Sequence, residues 1–155
     1  MLKNWSCIAV LLVCPALLAN AEPYTEGEVE VVSDGYRFTE GPVWTTGGTL
    51  LFSDIPNDRI HRGDGTVFRE PSGKSNGLTL DRQGRLIACE HGNRRVSRTE
   101  ADGSVVTLAA TYEGKSLNSP NDAVVRSDGV IFFTDPPYGL EGREQELDFQ
   151  GVYAL

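Results

Sequence analysis

Sulfur and imidazole side chains are scarce in this chain, with three cysteines, two histidines and one methionine among 155 residues. Cys7 and Cys14 fall within the first 21 residues, so the body keeps only Cys89. No disulfide framework can form within a single mature chain. Basic residues are also short, 14 against 22 acidic ones. Removing Lys3 with the leader gives 13 − 22 = −9. Such a surface repels phosphate backbones, which excludes nucleic acid as a partner. Long apolar runs are missing too. The longest, Ile8 to Ala19, has 12 residues, well below the roughly 20 that a membrane-spanning helix needs. No integral membrane segment is expected after the leader, and no helix signal of useful length follows it.

The leader itself reads as a secretory signal. Lys3 charges the short n-region, the apolar run follows, and Ala19-Asn20-Ala21 places small residues where signal peptidase inspects. The expected division is residues 1–21 as signal peptide and 22–155 as the body, exported to the periplasm or secreted. Leu11-Leu12-Val13-Cys14 also outlines a lipoprotein cleavage box, although Val13 is bulky where such boxes take a small residue. Asp135-Pro136-Pro137-Tyr138 matches a motif with which base-modifying methyltransferases grip a flipped base. Export, the acidic balance and the absence of a Gly-rich cofactor loop argue against that reading.

What the body does contain is a repeat. The stretches EGPVWTTGGTLLFSD (40–54), NGLTLDRQGRLIACE (76–90) and NDAVVRSDGVIFFTD (121–135) align without gaps. Each has glycine eight residues in (Gly48, Gly84, Gly129) and a carboxylate fourteen residues in (Asp54, Glu90, Asp135). Each reads as a hairpin whose turn glycine supplies a positive φ. The second strand is almost wholly apolar, as when both faces are covered. Asp64-Gly65 and Asp102-Gly103 mark a further turn after the first and second copies, so that each unit yields about four strands. The spacings, 76 − 40 = 36 and 121 − 76 = 45, suit a four-stranded propeller blade.

The expected fold is therefore all-β, a β-propeller with about three blades in this chain. An antiparallel sandwich is the alternative, but it gives no reason for fixed offsets in three hairpins, whereas rotation about one axis does. Three blades do not close a ring, so the body is expected to be the N-terminal part of a longer protein. The segment before the first copy, with GEVEVV, reads as a lead-in strand.

In a propeller the heads of the innermost strands converge on the axis. Here those heads are Glu40, Asn76 and Asn121. A carboxylate and two carboxamides are oxygen donors that suit a hard divalent cation such as calcium; with neither His nor Cys among them, a thiolate or imidazole zinc site is not suggested. Asn76 before Gly77 fits a turn residue equally well. The carboxylates Asp54, Glu90 and Asp135 read as structural, bonding backbone amides where each second strand ends. His91, beside Gly92, fits a loop histidine better than a substrate contact, and Cys89 fits a small buried hydrophobe.

The stretches EGPVW, LLFSDIPNDRIHR, SNGLTLDRQGRLIACEHGNRRVSR, LNSPNDAVVRSDGVIFFTDPPYG and QGVYAL closely resemble the N-terminal half of the gluconolactonase and senescence-marker-protein (regucalcin-like) family. The resemblance runs from about Tyr36 to Leu155. It implies a six-bladed propeller holding one divalent metal, most often calcium with zinc or another ion as the alternative, and hydrolysis of sugar lactones or related cyclic esters. Glu40 matches the family's first metal ligand. Asn121 matches an asparagine at both the metal and the substrate. Asn76, at the equivalent strand head, is expected from its position to contact the substrate. The remaining ligands, including the aspartate that serves as general base, are implied to lie beyond residue 155. A non-catalytic exported propeller that binds a sugar or a protein is the rival function, since fold alone does not decide it.

Overall fold

The computed structural model describes residues 27–155; the expected signal peptide and Cys14 lie outside the described residues. The lead-in strand does not form. Residues 27–36 have no strand partner, and Val29, Val31 and Val32 are exposed. Their alternation of valine with acidic residues gives strand propensity, but an isolated strand with no ladder to join gains nothing from it.

From Thr39 the chain is nearly all strand. The first blade has four antiparallel strands in sequence order: β1 (Thr39–Trp44), β2 (Leu50–Asp54), β3 (Arg59–Arg62) and β4 (Val67–Arg69). The second repeats it with β5 (Ser75–Leu80), β6 (Leu86–Glu90), β7 (Arg95–Thr99) and β8 (Val105–Ala109). A two-stranded ribbon, β9 (Thr111–Tyr112) with β10 (Lys115–Ser116), leads into a third sheet of β11 (Ala123–Val125), β12 (Ile131–Asp135) and β13 (Gly151–Ala154). A single 3₁₀ turn, Pro137–Gly139, is the one helical element among the described residues.

The repeat seen in the sequence is a repeat in hydrogen bonds. Gly48, Gly84 and Gly129 have φ of 76°, 77° and 102°. Their amides donate to the carbonyls of Thr45, Asp81 and Arg126 at 3.0, 2.9 and 2.8 Å. An L-residue with a Cβ pays a steric penalty there, so the same glycine recurs in all three hairpins.

The blades bury their faces against one another. Leu51 and Ile60 of the first meet Leu78, Leu86 and Ala88 of the second, while Ile87, Cys89 and Val96 of the second meet Ala123, Ile131 and Phe133 of the third. Side chains along β6 thus alternate between two neighbours, Leu86 and Ala88 one way and Ile87 and Cys89 the other. Every residue of β6 is buried, which explains its uninterrupted apolar run. By contrast β12 alternates buried and half-buried residues, Ile131 and Phe133 facing the second blade.

Candidate functional site

The innermost strands, β1, β5 and β11, lie side by side, and their heads line one cleft of about 230 Å³. Its walls are Glu40, Gly41, Pro42, Asn76, Gly77, Leu78, Asn121 and Asp122. The sequence expectation grouped Glu40, Asn76 and Asn121, and the structure brings these three together, one from each blade.

Close backbone approach makes this possible. A Cβ on Gly41 would stand 2.3 Å from the Asn76 carbonyl oxygen, and one on Gly77 would stand 2.6 Å from Asp122 Cα. Glycine follows the head residue in the first two copies because the next inner strand passes directly over it. The Gly77 amide donates to the Asn121 carbonyl at 2.7 Å, and buried Ser53 donates through Oγ to the Asn76 carbonyl at 2.8 Å. Both β1 and β5 carry a bulge at the head, between Glu40 and Val43 and between Ser75 and Leu78. Bulges re-aim side chains next to binding sites.

His91 sits in the turn after β6, as the loop histidine the sequence suggested, and its ring reaches two of the three strand heads. The residue is 7 % exposed. Nε2 lies 3.3 Å from Asn76 Nδ2 and 3.4 Å from Asn121 Nδ2, so that the imidazole bridges two of the three heads from behind. Burial holds its pKa below the usual histidine value; the Glu141 carboxylate opposes this and the Arg143 charge adds to it. A comparison of equivalent positions finds it: the residue after the repeat's carboxylate is Ile55, His91 or Pro136, and only the second copy offers a polar ring.

The DPPY segment turns over this histidine. Ser119 Oγ accepts the Gly139 amide at 2.9 Å, and Gly139 packs so closely on the ring that a Cβ would fall 2.4 Å from His91 Cγ. Arg143 then ties both segments, donating to the carbonyls of His91 (2.8 Å), Gly92 (2.7 Å) and Gly139 (2.7 Å). The Pro-Pro turn therefore builds the wall behind the cleft.

The three equivalent carboxylates divide. Asp54 accepts the amides of Arg37 and Phe38, and Asp135 accepts that of Asn118 at 2.7 Å, as expected of structural carboxylates. Glu90 departs from the expectation and is bound only by side chains: Arg69, Arg95, Asn93 and Ser97. Arginines at 69 and 95 compete for its oxygens with two strong charge-assisted bonds. Cys89 is wholly buried, and burial pushes its thiol far up, which leaves it a hydrophobe.

Whether the cleft suits a divalent cation turns on its donors. Glu40 is exposed and makes no side-chain hydrogen bond among the described residues. The carboxamides present nitrogen to His91, which leaves Asn76 Oδ1 and Asn121 Oδ1 on the side away from the ring. Three oxygen donors without competing partners fit a hard ion. No three His, Cys, Asp or Glu side chains cluster in metal-holding geometry among the described residues. At least one carboxamide would accordingly have to serve as a ligand. Nor is any described helix long and apolar enough to cross a membrane.

A propeller whose inner strand heads carry oxygen donors is the class these observations define. Residues 38–155 match the family described as SMP-30/Gluconolactonase/LRE-like region, and the chain belongs to that family. It is 32% identical to a gluconolactonase of Zymomonas mobilis, over 82% of this chain and 42% of that protein. It is 34% identical to regucalcin of Xenopus laevis, over 64% of this chain and 34% of that one. Among solved structures, a gluconolactonase from Xanthomonas campestris superposes with a TM-score of 0.76 at 39% identity, covering 80% of this chain and 46% of that one. The chain thus spans less than half the length of these relatives.

Proposed function

We propose that this chain supplies the metal-holding and substrate-orienting side of a lactonase site, in a protein that hydrolyses a sugar lactone or related cyclic ester. The observation that carries the reading is the convergence of Glu40, Asn76 and Asn121, each from a different blade, on one cleft. Gluconolactonases among the relatives support the substrate class.

Glu40 and Asn121 would hold a divalent cation, calcium by preference, because their oxygens are hard donors. When bound, such an ion supplies Lewis-acid stabilisation of the charge that develops on a lactone carbonyl oxygen. Asn76, fixed behind by His91 and through its carbonyl by Ser53, would orient the ring hydroxyls. Orientation of this kind removes entropy from the reacting pair before the chemical step. The proton of the attacking water requires a carboxylate base within hydrogen-bond reach. We assign that role to an aspartate of a later blade, as the family resemblance implies.

Export before activity forms part of the proposal and rests on the leader's sequence. The decisive experiment follows gluconolactone opening by proton release in the full-length protein, with and without a chelator, and in Glu40→Gln. Turnover should collapse in both cases while circular dichroism stays unchanged. Undiminished hydrolysis in Glu40→Gln would refute the assignment, and lactone binding without turnover in the wild type would favour the binding module instead.

A further inference from the structure

We infer that His91 is a positioning residue: as the Nδ1–H tautomer it fixes both carboxamides, of Asn76 and Asn121, with their nitrogens toward its ring and their oxygens toward the cleft. Amide nitrogens only donate. An imidazole nitrogen facing two of them, at 3.3 and 3.4 Å, must present its lone pair, so the proton sits on Nδ1. Turning either carboxamide over would bring its oxygen against that lone pair. The ring therefore selects one rotamer at two positions that lie 45 residues apart, in different blades.

The imidazole can act this way because it cannot move. Gly139 lies against Cβ, Cγ and Nδ1, the His91 amide donates to the Lys74 carbonyl at 3.1 Å, and Arg143 holds the His91 carbonyl. Lys74 and Glu141, 2.6 Å apart, join the same two segments from outside. Neither Ile55 nor Pro136, the equivalent residues of the other copies, has an acceptor to offer. One histidine thus organises the oxygens of two blades, and it does so without touching the ligand.

The orientation stands on the geometry alone; its consequence for ligands rests on the reading of the cleft proposed above. Partners that orient ligating groups typically contribute about 10–100-fold in metal affinity or activity. His91→Phe keeps the ring volume and removes the acceptor. His91→Gln restores an acceptor near the Nε2 position.

Two measurements on the full-length protein test the inference. With ¹⁵N-labelled histidine, long-range proton–nitrogen correlation at pH 8 should show His91 Nε2 without a proton. A protonated Nε2 would overturn the proposal whether or not the protein binds metal or turns over lactone. Calorimetric titration with calcium alone should then show affinity lowered by about 10–100-fold in His91→Phe and brought back to within about threefold of wild type in His91→Gln. Equal affinity in all three proteins, or an equal loss in both variants, would overturn it. Absence of calcium binding in the wild type would instead sink the metal reading of the cleft and leave the tautomer measurement to decide the role of His91.

Discussion

Gly77→Ala tests the claim that neighbouring inner strands set the spacing of the site. The new Cβ would meet Asp122 Oδ1 at 2.5 Å, Asp122 Cα at 2.6 Å and the Asn121 carbonyl oxygen at 2.7 Å. Two of these are backbone atoms, which cannot swing aside. Ordinary contact begins at 3.4 Å, so β5 and the Asn121–Asp122 segment must part by about 0.8 Å. Overpacking of this sort costs about 1–3 kcal/mol. Lengthening the 2.7 Å bond from the Gly77 amide to the Asn121 carbonyl costs about 1 kcal/mol more. The total, about 2–4 kcal/mol, lowers the midpoint of thermal unfolding by about 4–16 °C for a chain of this size. Because Asn76 and Asn121 separate with the strands, the calcium affinity proposed for the cleft should fall as well, misplacement by about 1 Å being worth up to about 100-fold in activity. Gly47→Ala is the control: its Cβ meets nothing nearer than 3.9 Å and should change stability by less than about 0.5 kcal/mol. Scanning calorimetry and calcium titration on both variants decide it. A Gly77→Ala protein with wild-type midpoint and affinity would refute the account of how the blades meet.

Other outcomes follow from the same structure. Glu90→Gln leaves Arg69 and Arg95 facing a neutral amide at a residue 1% exposed, and chemical denaturation should show a loss of about 3–5 kcal/mol. Breaking the exposed Arg126–Asp128 pair should leave the denaturation midpoint where it is. Burial raises the Asp135 carboxyl above its usual range. The folded state therefore holds that proton more tightly than the unfolded chain, and the stability Asp135 contributes is present below the ordinary carboxylate pKa and lost as pH rises through the raised value. Asp135→Asn should flatten that part of the stability–pH curve, and an unchanged slope would contradict it. Cys89, buried and held as the thiol, should escape iodoacetamide in the folded protein and react only on unfolding, as peptide mass mapping would reveal.

Much of the architecture was legible because it repeats. A glycine at fixed offset from each strand head meant three identical turns, and the structure has them with matching φ and matching hydrogen bonds. The apolar runs in β6 and β2 announced strands covered on both faces. GEVEVV misled because strand propensity is local while a ladder needs a partner. The environment of Glu90 was misjudged for a related reason: the equivalent carboxylates bind backbone amides, but Arg69 arrives from the preceding blade, and nothing in the offsets marks that approach.

Sequence alone determined the unit and its period, and with them the three head residues, because rotational symmetry demands like residues at like offsets. Tertiary structure alone decided how the heads are held. His91, Gly139 and Arg143 have no counterparts in the repeat, and their roles arise where one blade's loop meets the next segment's turn. Offsets encode what every blade must share; contacts made once, between segments far apart in the chain, leave no periodic trace.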